Sequence, residues 1–236
     1  MPGDPRERTR PVVAIDGPAG SGKTTVARRV AGRLGYTLVD TGALYRCVAL
    51  AAVRRGTDPG DAAGLAALAA ACRVRFDEGR DEQRVVLDGE EVTRAIRQPA
   101  VSELASRVSA LPPVRAALLG IQRDLGRNGG VVLEGRDIGT VVFPDAEVKV
   151  FLLADDDIRA RRRFDELRAR GLDVSLEQTR ADMLRRDRRD AARDVAPMKP
   201  APDAVVLDTG PLAIDEVVDR VIELVARRAD GSRRNP

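Results

Sequence analysis

Five short apolar runs punctuate the chain: "VVAID" (12–16), "YTLVD" (36–40), "VVLEG" (131–135), "VKVFLLA" (148–154) and "AVVLD" (204–208). Their apolar residues are continuous rather than alternating, the mark of strands covered on both faces as in a parallel sheet. Most are separated by stretches with apolar residues at three-to-four spacing, which predict helices over 23–34, 42–56, 112–127, 156–170, 175–193 and 213–228. Strands alternating with helices predict an α/β layer fold. The Ala-rich stretch 62–71 reads as a further helix.

Residues 74–96, "VRFDEGRDEQRVVLDGEEVTRAI", break this rhythm. Alternation on either side of Gly79 and of Gly89 predicts a small antiparallel meander with turns at those glycines, inserted into the α/β body. The charged segments 1–10 and 229–236 read as frayed tails. No internal repeat is visible.

Composition narrows the function. Apolar residues make up 43% and aromatic residues only 3%, so the core must rest on Ala, Val, Leu and Ile. No run approaches the 18 or so apolar residues of a membrane span, and "MPGDPRERTR" has no apolar stretch after its charges, so no secretory signal is read there. A cytoplasmic monomer is the expectation. The 40 basic and 37 acidic residues leave a net charge of +3. The mixed signs speak against a nucleic-acid partner, which calls for an unbalanced basic stripe. Cys47 and Cys72 fit no zinc or redox spacing and read as buried thiols. The chain has no histidine, which excludes Ser-His-Asp catalysis and His-ligated metals.

"GPAGSGKT" (17–24) fits G-x-x-x-x-G-K-[ST], with a predicted strand before it and a predicted helix after it. The glycines at 17, 20 and 22 let the backbone of Gly17, Pro18, Ala19, Gly20, Ser21 and Gly22 curl with its N–H groups inward. The positive end of the following helix dipole lies there too. Lys23 can then reach the β- and γ-phosphates of a nucleoside triphosphate, and the Thr24 hydroxyl can hold Mg²⁺. A switch GTPase would need a guanine-reading Asn-Lys pair, and the sequence has none. Glu134, ending "VVLE", imitates the acidic strand end of a motor ATPase, so that class stays open beside a small-molecule kinase.

A kinase needs a second anion site. "VDTGALYR" (39–46) and "EGRDIGTVVFPDA" (134–146) follow predicted strands, whose ends are where open α/β sheets bind ligands. They bring Arg46, Arg136 and Asp137 to that edge. "RRDRRDAARD" (185–194) carries five arginines among its ten residues. Arg186, Asp190 and Arg193 are spaced i, i+4, i+7 and share one helix face, while Arg185, Arg188 and Arg189 fall on others.

"IDGPAGSGKTT", "DTGALYR", "GRDIGTVVFPDA" and "RDRRDAAR" together resemble the bacterial cytidylate kinase family, over about residues 11–228. The resemblance implies ATP-dependent, Mg²⁺-assisted phosphorylation of CMP and dCMP, a step of pyrimidine nucleotide metabolism. It also implies the nucleoside monophosphate kinase fold: a P-loop core with a five-stranded parallel sheet and helices on both faces, an NMP-binding region and a short lid. The implied core is 11–40, 111–155 and 195–228, the NMP-binding region 41–110 with its insertion at 74–96, and the lid about 156–175. It extends the ATP-binding loop to Thr25. It implies phosphate-end contacts at Thr41, Arg46 and Arg136, cytosine contacts at Ser106, Arg115, Asp137 and Arg193, and sugar contacts at Arg186 and Asp190. Many members have Ser where this chain has Thr41. Lys23, Arg46 and Arg136 are the implied catalytic cations, and Arg159, Arg162 and Arg163 in "DDDIRARRRF" the lid candidates. The residues alone leave open a kinase of another small acceptor, or an ATP-binding module that transfers nothing.

Overall fold

The computed structural model describes residues 8–77 and 83–233. The chain divides into two compact units, one built from the segments up to Leu38 and from Gly126 onward, the other from Val39–Leu125.

The first unit carries a five-stranded sheet in the order β2-β6-β1-β7-β8. Its strands are β1 (Val12–Asp16), β2 (Thr37–Asp40), β6 (Val131–Gly135), β7 (Val148–Leu153) and β8 (Val205–Asp208). The pairs β1–β6, β1–β7 and β7–β8 are parallel. β1 and β6 are buried at every residue, as continuous apolar runs require of central parallel strands. β8 departs from that expectation: Val205 and Val206 are exposed, because β8 is the edge strand. Helices α1 (Lys23–Leu34) and α8 (Ile214–Arg233) pack together on one sheet face. Val26, Ala27 and Val30 of α1 meet Val217, Val218 and Val221 of α8 over Val13, Ile15 and Val150.

Helices α6 (Asp156–Ala169) and α7 (Leu176–Ala191) lie against each other in the same unit. α7 starts where Ser175 accepts a hydrogen bond from the Gln178 N–H at 3.1 Å, a side-chain N-cap. α8 continues to Arg233, past the point where a frayed tail is expected from 229; no proline or glycine-rich turn interrupts "ARRAD". The N-terminal expectation also shifts at its inner end. Arg8 pairs with Asp145 at 2.8 Å and Glu147 at 3.3 Å, so order begins before residue 11.

The second unit is built around α2 (Thr41–Arg55), which is buried along most of its length. Helices α3 (Ala62–Ala71), α4 (Pro99–Val108) and α5 (Pro112–Gly126) share its core, in which Leu44, Val48, Leu65, Ile96, Val108, Val114 and Leu118 are all fully or nearly fully buried. α5 therefore belongs here and not with the sheet-bearing core, where 111–125 is expected: its Val114 and Leu118 find their apolar partners in this unit. α4 carries no counterpart in the sequence expectations.

The antiparallel insertion is present as β3 (Val74–Asp77), β4 (Arg84–Leu87) and β5 (Glu90–Glu91). Asp88 and Gly89 turn between the last two with φ of 51° and 94°, the paired positive values of a type I′ hairpin. The expected turn at Gly79 lies outside the described residues. Cys47 and Cys72 are free and buried, and burial pushes their thiols up to about 12 and about 11, as expected of inert core cysteines.

Candidate active site

The phosphate loop runs from the end of β1 to the start of α1, at the carboxyl edge of the sheet. Its shape demands glycine. At Gly17, φ is 147° and an added Cβ would lie 2.3 Å from the Leu152 carbonyl oxygen. At Gly20, φ is 73° and a Cβ would lie 2.6 Å from the Arg159 carbonyl oxygen. Both neighbours are backbone and cannot swing aside.

Lys23 sits in the first turn of α1 and is 6% exposed. Its ammonium donates to the Pro18 carbonyl at 2.6 Å, across the loop. Burial, with the positive Arg136 nearby, pulls its pKa down to about 7, against the opposing pull of Glu134 and Asp187. Ser21 Oγ donates to the same Pro18 carbonyl at 3.0 Å. Thr24 is exposed at the helix start and Thr25 half-buried.

Strand register sets what lies beside the loop. Asp16, the last residue of β1, is level with Gly135 of β6, so Arg136 and Asp137 leave the sheet next to Gly17. A π-helical turn, Ile138–Val142, follows. The buried Asp16 carboxylate holds that turn by accepting from the N–H groups of Ile138 at 2.9 Å and Gly139 at 2.8 Å. Burial nonetheless pushes the Asp16 carboxyl up to about 6.

Across from the turn, Asp190 of α7 is 1% exposed and collects three guanidiniums. Arg136 Nε donates to it at 3.0 Å, Arg193 Nη2 donates to its other oxygen, and Arg186 Nε lies at 3.8 Å. Burial alone would raise the pKa of this carboxyl; the cations of Arg136, Arg193 and Arg186 outweigh it and hold the group below the usual carboxylate range. The structure thus brings Arg136, Arg186, Asp190 and Arg193 into one cluster. Arg185, by contrast, pairs on the surface with Asp182.

The three lid candidates are separated. Arg159 is buried: it donates to the Ala19 carbonyl at 2.8 Å and pairs with Asp187. Arg162 is tied to Thr209, through Oγ1 at 2.9 Å and the carbonyl at 2.7 Å. Arg163 pairs with Glu166 at 2.7 Å on the outer face of α6. Asp187, Asp16 and Thr209 do not figure among the sequence candidates, yet each holds part of the site. Asp187 stands three residues before Asp190, so helical spacing alone puts it on the same face. Asp16 and Thr209 each mark the end of an apolar run, a weaker signal.

In the second unit, Asp40 accepts from the Ala43 N–H at 3.1 Å, capping α2, and also from Arg46 Nη2 at 2.5 Å. Thr41 is buried directly after it. Ser106 and Arg115 are brought together through Ser109, whose Oγ donates to the Ser106 carbonyl at 2.9 Å and whose carbonyl accepts from Arg115 at 3.3 Å. The Arg115 guanidinium lies 5.8 Å from the centre of the Tyr45 ring.

A glycine-rich loop of this sequence pattern, beside arginines gathered on the buried Asp190, has counterparts among known proteins. The cytidylate kinase family model matches residues 13–227. This chain belongs to the cytidylate kinase family. Cytidylate kinases of Syntrophotalea carbinolica and Geobacter sulfurreducens are each 52% identical over 217 residues, which is 92% of this chain and 92% and 93% of theirs. A bifunctional pantoate ligase/cytidylate kinase of a Synechococcus strain is 50% identical over 227 residues, 95% of this chain and 42% of that longer protein. Among solved structures, an uncharacterized protein of Eubacterium ventriosum superposes with a TM-score of 0.51 at 14% identity, covering 92% of this chain and 99% of its own, a likeness of fold alone. Like its family, the chain is a phosphotransferase enzyme, and the P-loop kinase fold expected from the motifs is the one found.

Proposed function

We propose that the protein transfers the γ-phosphoryl group of ATP to CMP and dCMP, giving ADP and CDP or dCDP. The observation that carries this reading is a buried Lys23 in a glycine loop beside the Arg136–Asp190–Arg193–Arg186 cluster, in a chain of the cytidylate kinase family. The loop N–H groups of Gly20, Ser21 and Gly22 and the start of α1 receive the ATP phosphates, with Gly17, Pro18 and Ala19 shaping the loop and Thr25 at its end. Lys23 leaves the Pro18 carbonyl for the β- and γ-phosphates.

Mg²⁺ fits this set as an ion carried by the nucleotide. It binds through phosphates, waters and few protein oxygens, and Thr24 offers an exposed hydroxyl at the helix start. Among the described residues, no cluster of three or more acidic or cysteine side chains forms a resident metal cage. Held there, the ion would offset the negative charge of the phosphates.

The transition state is loose and spreads charge over the γ-phosphoryl oxygens. Lys23, Arg136 and Arg46 are the cations assigned to offset it. The acceptor phosphate is already anionic near neutral pH, so no general base is needed and a chain without histidine suffices. Cytosine offers its N4 amino group to Asp137 and its N3 and O2 acceptors to Arg115, Arg193 and Ser106. Thr41 and Arg46 take the CMP phosphate. Arg186 takes the sugar, and Asp190 serves as the anion that aims the three guanidiniums. Uracil carries an O4 acceptor and an N3–H donor where cytosine has its N4 amino donor and N3 acceptor, and so leaves buried groups unpaired, which hydrogen-bonding sites reject strongly. Arg162 and Arg163 remain the lid arginines able to meet ATP after leaving Thr209 and Glu166. No described helix is long and apolar enough to cross a membrane, which fits a cytoplasmic enzyme, here read as a monomer.

A coupled ADP-release assay with CMP, dCMP, UMP, AMP and GMP tests the reading. Turnover with CMP and dCMP, at least tenfold above the rest, is expected. Preference for another monophosphate, or ATP binding without transfer, overturns it.

A further inference from the structure

Three of the six residues from Gly17 to Gly22 are glycines at positive φ, a backbone with little stiffness of its own. A loop that must present inward N–H groups to phosphate therefore needs ties from outside, or ATP must bear the cost of ordering it. Two ties are local, from Ser21 Oγ and Lys23 Nζ to the Pro18 carbonyl. A third is only partial: the single Thr209 Oγ1 proton faces the Leu153 carbonyl at 3.0 Å and the Ser21 carbonyl at 3.2 Å.

The remaining ties converge on Ala19, midway between the glycines. Its N–H donates to Asp187 Oδ1 at 3.0 Å, and its carbonyl accepts from Arg159 Nη1 at 2.8 Å. Arg159 Nη1 also donates to Asp187 Oδ2, which closes a ring of three hydrogen bonds. The backbone of Arg159 meanwhile packs against Gly20. The side chains of Arg159 and Asp187 are only 5% and 11% exposed, so these charge-assisted bonds are largely shielded from water. Both polar backbone groups of one loop residue are thus held by a single ion pair, from two helices remote in sequence.

We propose that Asp187, paired with Arg159, is a positioning residue that pre-orders the empty phosphate loop for ATP. Neither side chain transfers phosphate; both act through the backbone of Ala19. The proposal rests on the reading of the loop as the ATP site. One turn further along α7, Asp190 holds Arg136, Arg186 and Arg193. A single helix face therefore sets both the loop and the arginine cluster.

Steady-state kinetics of the full chain test this, with the wild type measured first. Failure of the wild type to phosphorylate any monophosphate would sink the functional reading itself. With an active wild type, Asp187→Ala is expected to raise the ATP KM about tenfold and leave the CMP KM within about twofold. Turnover at saturating ATP should stay within about threefold, because bound ATP then orders the loop. Asp187→Asn keeps an oxygen for the Ala19 N–H but turns an N–H donor toward Arg159, and should recover only part of the loss, with an ATP KM between those of wild type and Asp187→Ala. The Asp187→Ala/Arg159→Ala double variant should be no more than about twofold worse than the worse single one, since the two act as one tie. Equal rises in both KM values, an unchanged ATP KM, or additive losses in the double variant overturn the proposal. If Asp187→Ala does not fold, Arg159→Lys decides, a rise confined to the ATP KM supporting the proposal and an unchanged one overturning it.

Discussion

At the scale of single residues, the site is governed by what burial does to charge. Lys23 is buried with Arg136 close by, and its pKa falls to about 7. Asp190 is equally secluded yet keeps its charge, because three guanidiniums surround it. Burial works against both charges; three guanidiniums outweigh it at Asp190, whereas at Lys23 Arg136 acts with burial and Glu134 and Asp187 do not offset the two. A polyphosphate arriving beside Lys23 adds negative charge and favours its charged form. Lys23→Ala should therefore lower turnover by about two to four orders of magnitude, of the size seen when one preorganised charge is removed from a transition state, while CMP still binds. Rapid-quench turnover together with equilibrium CMP titration measures both. Near-wild-type turnover would remove Lys23 from its assigned role.

At the scale of elements, strand ends and helix faces set the aim of each group. β1 hands over to the loop at Asp16, and Asp16 reaches sideways to hold the turn that carries Arg136 and Asp137. This tie has a pH signature. The folded carboxyl has its pKa raised to about 6 from an ordinary 3.8, so the native state binds the proton more tightly than the unfolded chain does. Its contribution to stability is full below the unfolded value and is lost as pH rises from about 4 to about 6. Asp16→Asn cannot ionise. Relative to this variant, the wild type should lose on the order of 2 kcal/mol between pH 4 and pH 7, at about 1.4 kcal/mol per unit. Urea unfolding of both proteins across that range reads the difference; parallel curves would show that Asp16 ionises without cost. Motif spacing predicts α7 well but assigns its face only in part. Asp190 stands out among its arginines, whereas the equally placed Asp187 is visible only once its partner, Ala19, is brought alongside from a segment 168 residues earlier.

At the scale of the whole molecule, an abundance of arginine is absorbed internally. Many of the basic side chains end on carboxylates: Arg29 on Asp215 and Arg33 on Asp219 tie α1 to α8, and Arg54 meets Glu90. Exposed pairs of this kind contribute little stability, from nothing to about 1 kcal/mol. The 40 basic residues are nearly balanced by 37 acidic ones, for a net charge of only +3, and such pairs set opposite signs side by side. So balanced a composition predicts little non-specific nucleic-acid binding. Fluorescence anisotropy of a labelled DNA duplex should stay flat up to about 10 μM protein at physiological salt, where ordinary non-specific binders already respond. A salt-sensitive rise in that range would contradict the small-molecule reading.

The sequence by itself determined the elements and the chemistry that is local in the chain. Continuous apolar runs named the central strands, three-to-four spacing named the helices, and the phosphate loop was legible because its glycines, lysine and threonine are contiguous. Arg186 and Asp190 were legible for the same reason, since one helix carries both, but Arg193, expected on that helix, lies past its end at Ala191 and reaches Asp190 from the following turn. Only the tertiary structure decided where α5 belongs, because its apolar face fits either core until Val114 and Leu118 find partners. It also decided that β8 is an exposed edge, and that the three lid candidates differ, one buried on the loop, one on Thr209 and one on the surface. Periodicity reports which way a side chain points within its own element. It carries no information about which distant backbone group will meet it, and Asp16, Asp187 and Thr209 owe their place in the site to such meetings.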